Sequence, residues 1–180
     1  MERNLTHIAL FAALIVVLGL IPAIPLGIGV PITAQSMGIM LCGTVLGSWR
    51  GGLAVLLFLG LGLIGLPVLS GGRTVMAALS TPTVGYIIGF PIAAFVAGLI
   101  VERLRTPVLP AALAGAVIGG ILVLYAFGIP GIAVMAGKPL SEAFLGAMVF
   151  LPGDLIKAVL AAFITQAVAQ ARPGALLSRA

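Results

Sequence analysis

Asp154 and Lys157 are the residues best placed to do chemistry in this chain. They stand three apart in Leu151-Pro152-Gly153-Asp154-Leu155-Ile156-Lys157, inside an otherwise apolar C-terminal run. That spacing puts a carboxylate and an ammonium on one face of a helix. A charge at bilayer depth costs ~3 kcal/mol on insertion scales, so each group requires an opposite charge or a polar ligand. Two structural roles are open: Asp154 capping the first turn of a helix, and Lys157 snorkelling outward or pairing with Asp154. The functional role is recognition. A carboxylate accepts from ligand N–H groups, and a lysine or arginine suits a ligand carboxylate or carbonyl. The matching ligand is a small acidic molecule with an amide-like ring and an apolar body.

Three further polar residues are expected near the same end of the molecule. Gln35 lies one turn into the second apolar span, Arg73 in a glycine-rich connector, and Tyr86 one turn into the fourth span. Singly they read as a helix-end amide, a solvated loop arginine and an interfacial aromatic. Jointly they describe a concave site with an acceptor, two cations, an amide and an aromatic wall.

Other chemistries are excluded or disfavoured by what the chain lacks. His7 is the sole histidine, Asp154 the sole aspartate and Cys42 the sole cysteine. A paired-aspartate protease, an intramolecular disulfide and a cysteine metal site are therefore excluded. A hydrolase would need His7 as its base, with Ser70 the other candidate for an intramembrane enzyme. No cluster has metal-ligand spacing. Gly137-Lys138 is followed by Pro139 rather than Ser or Thr, so no phosphate loop is present. The expectation is a non-enzyme without a cofactor, which does not itself hydrolyse ATP. Despite the net charge of +5, no basic cluster with interleaved aromatics points to nucleic acid.

The elements that must carry these residues are membrane helices. The chain of 180 residues is 62% hydrophobic and 7% charged, with a mean hydropathy of +1.33. A soluble domain carries ~25% charge. The reading is an all-α integral membrane protein, one domain over 1–180, multi-pass in the lipid bilayer. Six spans are expected: Leu5 to Ile21, Pro31 to Gly47, a third after Ser48-Trp49-Arg50-Gly51-Gly52 to Leu66, Thr83 to Val101 with a kink at Pro91, Pro110 to Phe127, and Asp154 to Ala171. The N-terminal run reads as a retained first helix. Long connectors are expected around Gly29, around Arg73, and from Gly128 through Pro130, Gly131, Lys138 and Glu142, with a break at Pro152-Gly153. Arg3, Arg50, Arg103, Arg105, Arg172 and Arg179 collect on the side of both termini, which makes that side cytoplasmic. Asp154 and Lys157 then sit at the outer end. Small residues recur at four-residue spacing in Gly43/Gly47, Gly85/Gly89, Ala94/Gly98 and Gly115/Gly119, consistent with close helix packing. Ala9/Ala13 is the pair held open for a partner protein.

Six motifs in order carry a family resemblance: Ala9-Leu10-Phe11-Ala12-Ala13-Leu14, Ile21-Pro22-Ala23-Ile24-Pro25, Val30-Pro31-Ile32-Thr33-Ala34-Gln35, Gly65-Leu66-Pro67-Val68-Leu69-Ser70-Gly71-Gly72-Arg73, Thr81-Pro82-Thr83-Val84-Gly85-Tyr86 and Leu151 to Lys157. Over about Ala9 to Ala169 the chain resembles the BioY family, the biotin-specific substrate-binding (S) components of energy-coupling factor transporters. The resemblance implies a six-helix S-component bundle with both termini cytoplasmic, in a bacterial or archaeal cytoplasmic membrane. It implies biotin binding near the outer face. Asp154 and Lys157 are the pair expected to contact biotin, Arg73 the other polar anchor, and Gln35 and Tyr86 wall residues. The implied partners are a transmembrane coupling protein, docked on the face of Ala9 and Ala13, and two ATP-binding-cassette ATPases. Val84 departs from the small residue usual there. Three alternatives stay open: a stand-alone carrier driven by an ion gradient, an S component for another vitamin, and an intramembrane enzyme.

Overall fold

The computed structural model describes residues 2–25, 27 and 29–179, with side chains from Asn4 onward. The side chain of Arg3, counted above for topology, thus lies outside the described residues. The order is α1 (Glu2–Gly19), α2 (Gln35–Leu46), α3 (Ser48–Leu63), a one-turn α4 (Val75–Leu79), α5 (Val84–Arg103), α6 (Val108–Val117), α7 (Leu124–Ala136), α8 (Leu140–Ala147) and α9 (Leu151–Ala171). A π-helical segment, Ile118–Val123, joins α6 to α7, and a 3-10 turn, Met148–Phe150, joins α8 to α9. No strand occurs among the described residues. Two isolated antiparallel bridges, Ile24 with Ile32 and Leu69 with Arg73, close the connectors 20–34 and 64–74 on themselves.

Three helical runs are long and apolar enough to cross a membrane: Val84–Arg103, Val108–Ala136 and Leu140–Ala171. Asn4–Gly19, Gln35–Leu46 and Ser48–Leu63 are apolar but shorter. The expected boundaries need four corrections. The first and third runs stop at Gly19 and Leu63, short of Ile21 and Leu66. The second begins at Gln35 rather than Pro31, because Pro31 and Ile32 belong to the bridged connector. The fifth does not end at Phe127 but continues through Gly128, Pro130 and Gly131 to Ala136. Glycine and proline are tolerated in membrane helices where neighbouring helices and local π adjustments re-satisfy the backbone. Gly131 is there for proximity: a Cβ on it would lie 2.7 Å from both N and Cα of Gly85. Finally, Pro152-Gly153 does not break the chain. Pro152 sits in the first turn of α9, where its missing N–H costs no helical bond.

Helix α5 is the centre of the bundle, packing on α2, α3, α6 and α7, while α9 packs on α2 and α6. Its small residues permit this. A Cβ on Gly119 would lie 2.5 Å from the Ala93 carbonyl oxygen, and one on Gly43 would be 2.8 Å from the Cβ of Ala97. Ala9 and Ala13, by contrast, are exposed on α1, beside exposed Leu10 and Val17.

Helices α2, α5 and α9 all start at one end of the bundle, beneath connectors 20–34 and 64–83. At the opposite end the chain after α9 folds back. Leu176, Leu177 and Ser178 are buried there. Ser178 Oγ donates to the Thr44 carbonyl at 2.6 Å, Arg50 Nη1 to the Leu177 carbonyl at 3.3 Å, and Arg179 Nη2 to the Thr106 carbonyl at 3.0 Å. Glu102 accepts from the backbone N–H and the hydroxyl of Ser48, both at 2.7 Å. Between the two ends, Thr165 Oγ1 donates to the Ala161 carbonyl and sits 2.8 Å from Thr44 Oγ1, so Thr44 is the donor in that buried pair.

Candidate functional site

The first two turns of α9 deliver Asp154 and Lys157 to the connector end of the bundle. Asp154 is 6% exposed. Lys157 Nζ lies 2.9 Å from Asp154 Oδ1 and donates to Ser36 Oγ at 3.0 Å, while Ser36 Oγ lies 3.5 Å from the same carboxylate oxygen. Tyr125 donates its hydroxyl to Asp154 Oδ2 at 2.9 Å. The pair is therefore neutralised within the protein, with help from α2 and α7. A buried pair of this kind is held by its hydrogen bonds as much as by Coulomb attraction.

The pair borders a cavity of about 60 Å³, walled by Val30 to Thr33, Gln35, Ser36, Leu69, Ser70, Arg73, Thr83, Tyr86, Phe90, Leu124 and Phe150. All five binding residues expected from the sequence line it. They do not play equal parts. Gln35 spends its whole amide on the protein: Nε2 donates to the carbonyls of Ile15 (3.1 Å) and Val68 (3.0 Å), and Oε1 accepts from the Ser70 N–H at 3.0 Å. It fastens the Arg73 connector to α1 and α2 and has little left to offer a ligand.

Tyr86 is the opposite case. Its ring meets Phe150 and Tyr125 edge to face, at centroid distances of 6.1 and 6.5 Å. Its hydroxyl is buried without a hydrogen-bond partner, and so is Thr83 Oγ1 nearby. Gly128 makes room for that ring, since a Cβ there would lie 2.6 Å from Tyr86 Cε2. Arg73 is half-buried, and its guanidinium makes no hydrogen bond or ion pair with any described residue. It is presented by a hairpin in which the Leu69 N–H donates to the Arg73 carbonyl at 3.0 Å. Gly71 and Gly72 supply the positive φ values of 77° and 71° that this hairpin requires. The cavity thus combines a mostly apolar wall with a satisfied ion pair and three under-used polar groups.

The BioY family model matches residues 2–174. The chain belongs to the BioY family. It is 54% identical to the biotin transporter BioY of Rhodobacter capsulatus, across 99% of this chain and all of that one. It is 52% identical to the biotin transporter BioY of Rhizobium etli over 92% of each chain. Its fold matches the crystal structure of the S-component for biotin from an ECF-type ABC transporter, with a TM-score of 0.89, 35% identity, and coverage of 94% and 92% of the two chains. In this BioY chain, sequence reasoning missed Ser36, Tyr125 and Thr83. Tyr125 carried a signal: it is one of two tyrosines, and a buried phenol needs a partner. Ser36 and Thr83 carried none that separates them from other helix-end hydroxyls.

Proposed function

We propose that this protein is the membrane-embedded biotin-binding subunit of an energy-coupling factor transporter. It takes biotin from the outer side and delivers it inward together with a transmembrane coupling protein and two ATPases. In this reading six helices span the cytoplasmic membrane and both termini are cytoplasmic. The arginine-rich end is inside, and the connector end opens outward. The exposed Ala9–Ala13 face of α1 receives the coupling protein.

The observation that carries the reading is the set of unpartnered groups at one cavity: the guanidinium of Arg73 and the hydroxyls of Tyr86 and Thr83. Leaving a buried hydroxyl such as that of Tyr86 or Thr83 unpaired costs ~1–3 kcal/mol, and a polar ligand would offset that cost. Biotin fits the chemistry. A carboxylate only accepts, and the N–H groups of biotin lie on its ureido ring, so Asp154 faces that ring. Arg73 meets the biotin carboxylate. Phe90, Phe150, Leu124 and Val30 cover the apolar rings and chain.

The cavity is smaller than the ~300–1,000 Å³ usual for small-molecule sites. Connectors 20–34 and 64–74 therefore part to admit the ligand and close behind it. Closure excludes water and strengthens the ionic contacts. Calorimetry on the purified protein should show saturable one-to-one biotin binding, and no heat with biotin sinks the proposal. Uptake into liposomes by this chain alone, without ATPases, would instead support a self-sufficient carrier.

A further inference from the structure

We propose that Tyr125 is a positioning residue for the ligand, acting through Asp154. The inference rests on Asp154 being the acceptor for ligand N–H groups. Lys157 donates to Oδ1, which has Ser36 Oγ 3.5 Å away, a hydroxyl that also has the Thr33 carbonyl at 3.4 Å; Tyr125 alone donates to Oδ2. A carboxylate has about four acceptor positions. Lys157 and Tyr125 occupy one position on each oxygen, so both oxygens keep capacity for ligand N–H groups. Without Tyr125 the carboxylate is held on one side only and swings about its last torsion, which is broad and soft. With Tyr125 its plane is fixed before ligand arrives, and preorganisation of that kind raises affinity by lowering the ordering cost of binding.

The backbone supports this role. Tyr125 follows the π-helical segment Ile118–Val123 by two residues. One extra residue in a helical turn rotates everything beyond it by about 100° relative to a regular α-helix. The π turn thus sets the phase that points Tyr125 at α9, and without it the phenol would leave Asp154. Such segments concentrate at functional sites. Tyr125 is 6% exposed, and its ring is steadied by Tyr86 edge to face.

Asp154 is the only aspartate in the chain, so protein made with side-chain 13C-labelled aspartate carries a single reporter carboxylate. Isotope-edited infrared spectra of the unliganded protein should show its carboxylate band displaced and broadened in Tyr125→Phe and unmoved in Tyr86→Phe. Biotin affinity should fall about tenfold in Tyr125→Phe, the loss expected of one hydrogen bond to a charged group. A merely structural tyrosine would not move the Asp154 band. An unmoved band, or a displaced band with unchanged affinity, overturns the inference. Wild-type protein that binds no biotin sinks the functional reading and the ligand role with it, whereas a band shift would still report the Tyr125–Asp154 bond.

Discussion

The two ends of the bundle treat polar groups differently. At the end where the tail folds back, Ser48, Glu102, Ser178 and Arg50 each bond to another part of the protein. Among the buried side-chain polar atoms described there, the exception is Arg179 Nε, on a guanidinium whose Nη2 is already bonded. At the connector end, the guanidinium of Arg73 and the hydroxyls of Tyr86 and Thr83 have no partner among the described residues, and all three residues line one cavity. The closed end uses polarity to lock helix ends together. The open end keeps polarity in reserve, which suits the proposed ligand site. Substitutions at the two ends should therefore separate affinity from stability.

The largest effect is expected at the ion pair. Asp154→Asn or Lys157→Ala leaves one buried charge uncompensated, which costs ~3–5 kcal/mol. Each should lower the unfolding temperature and reduce biotin binding more than a hundredfold in calorimetry. Replacing both with leucine should restore much of the stability and none of the binding. Unchanged affinity in both single variants would remove the pair from the site. Next comes Arg73→Ala, with an expected loss of ~2 kcal/mol of binding energy, the scale of one charge-assisted hydrogen bond. Because the guanidinium of Arg73 has no partner among the described residues, the unfolding midpoint of this variant without biotin should stay at the wild-type value. A drop would show that the guanidinium serves the fold.

A smaller effect is expected from Gly128→Ala. Its methyl group meets the Tyr86 ring, and overpacking of this kind costs ~1–3 kcal/mol. Stability and biotin affinity should both fall, because the displaced ring belongs to the cavity wall. The smallest is Ser178→Ala at the closed end, which removes the hydrogen bond to the Thr44 carbonyl for about 1 kcal/mol. Thermal unfolding should register it, and biotin titration should not. Equal effects on both measurements would erase the contrast between the ends.

The open end was largely legible in the sequence, since a charged pair in an apolar run has few explanations. Asp154, Lys157, Arg73, Gln35 and Tyr86 do line one cavity. Their division of labour was not legible. Nothing in the types or spacing of Gln35 reveals that Ile15, Val68 and Ser70 would consume its amide. The mutual neutralisation of Asp154 and Lys157 was only one of the open readings, and the help from Ser36 and Tyr125 depends on tertiary approach. The helix through Gly128, Pro130 and Gly131 departs from the expected connector for a definite reason. Those residues punctuate helices in water, but here Gly128 and Gly131 make room for Tyr86 and Gly85 on a neighbouring helix. The family match to residues 2–174 agrees with motifs spread along nearly the whole chain.

The amide of Gln35 has a mechanical consequence. One side chain grips the carbonyl of Ile15 in α1, the carbonyl of Val68 and the N–H of Ser70. Ala13 is two residues from the first of these anchors, and Arg73 is three residues from the last. A push on the exposed side of α1 is thus geared directly to the connector that carries the guanidinium. That connector and α1 cannot slide past each other unless that rivet shears.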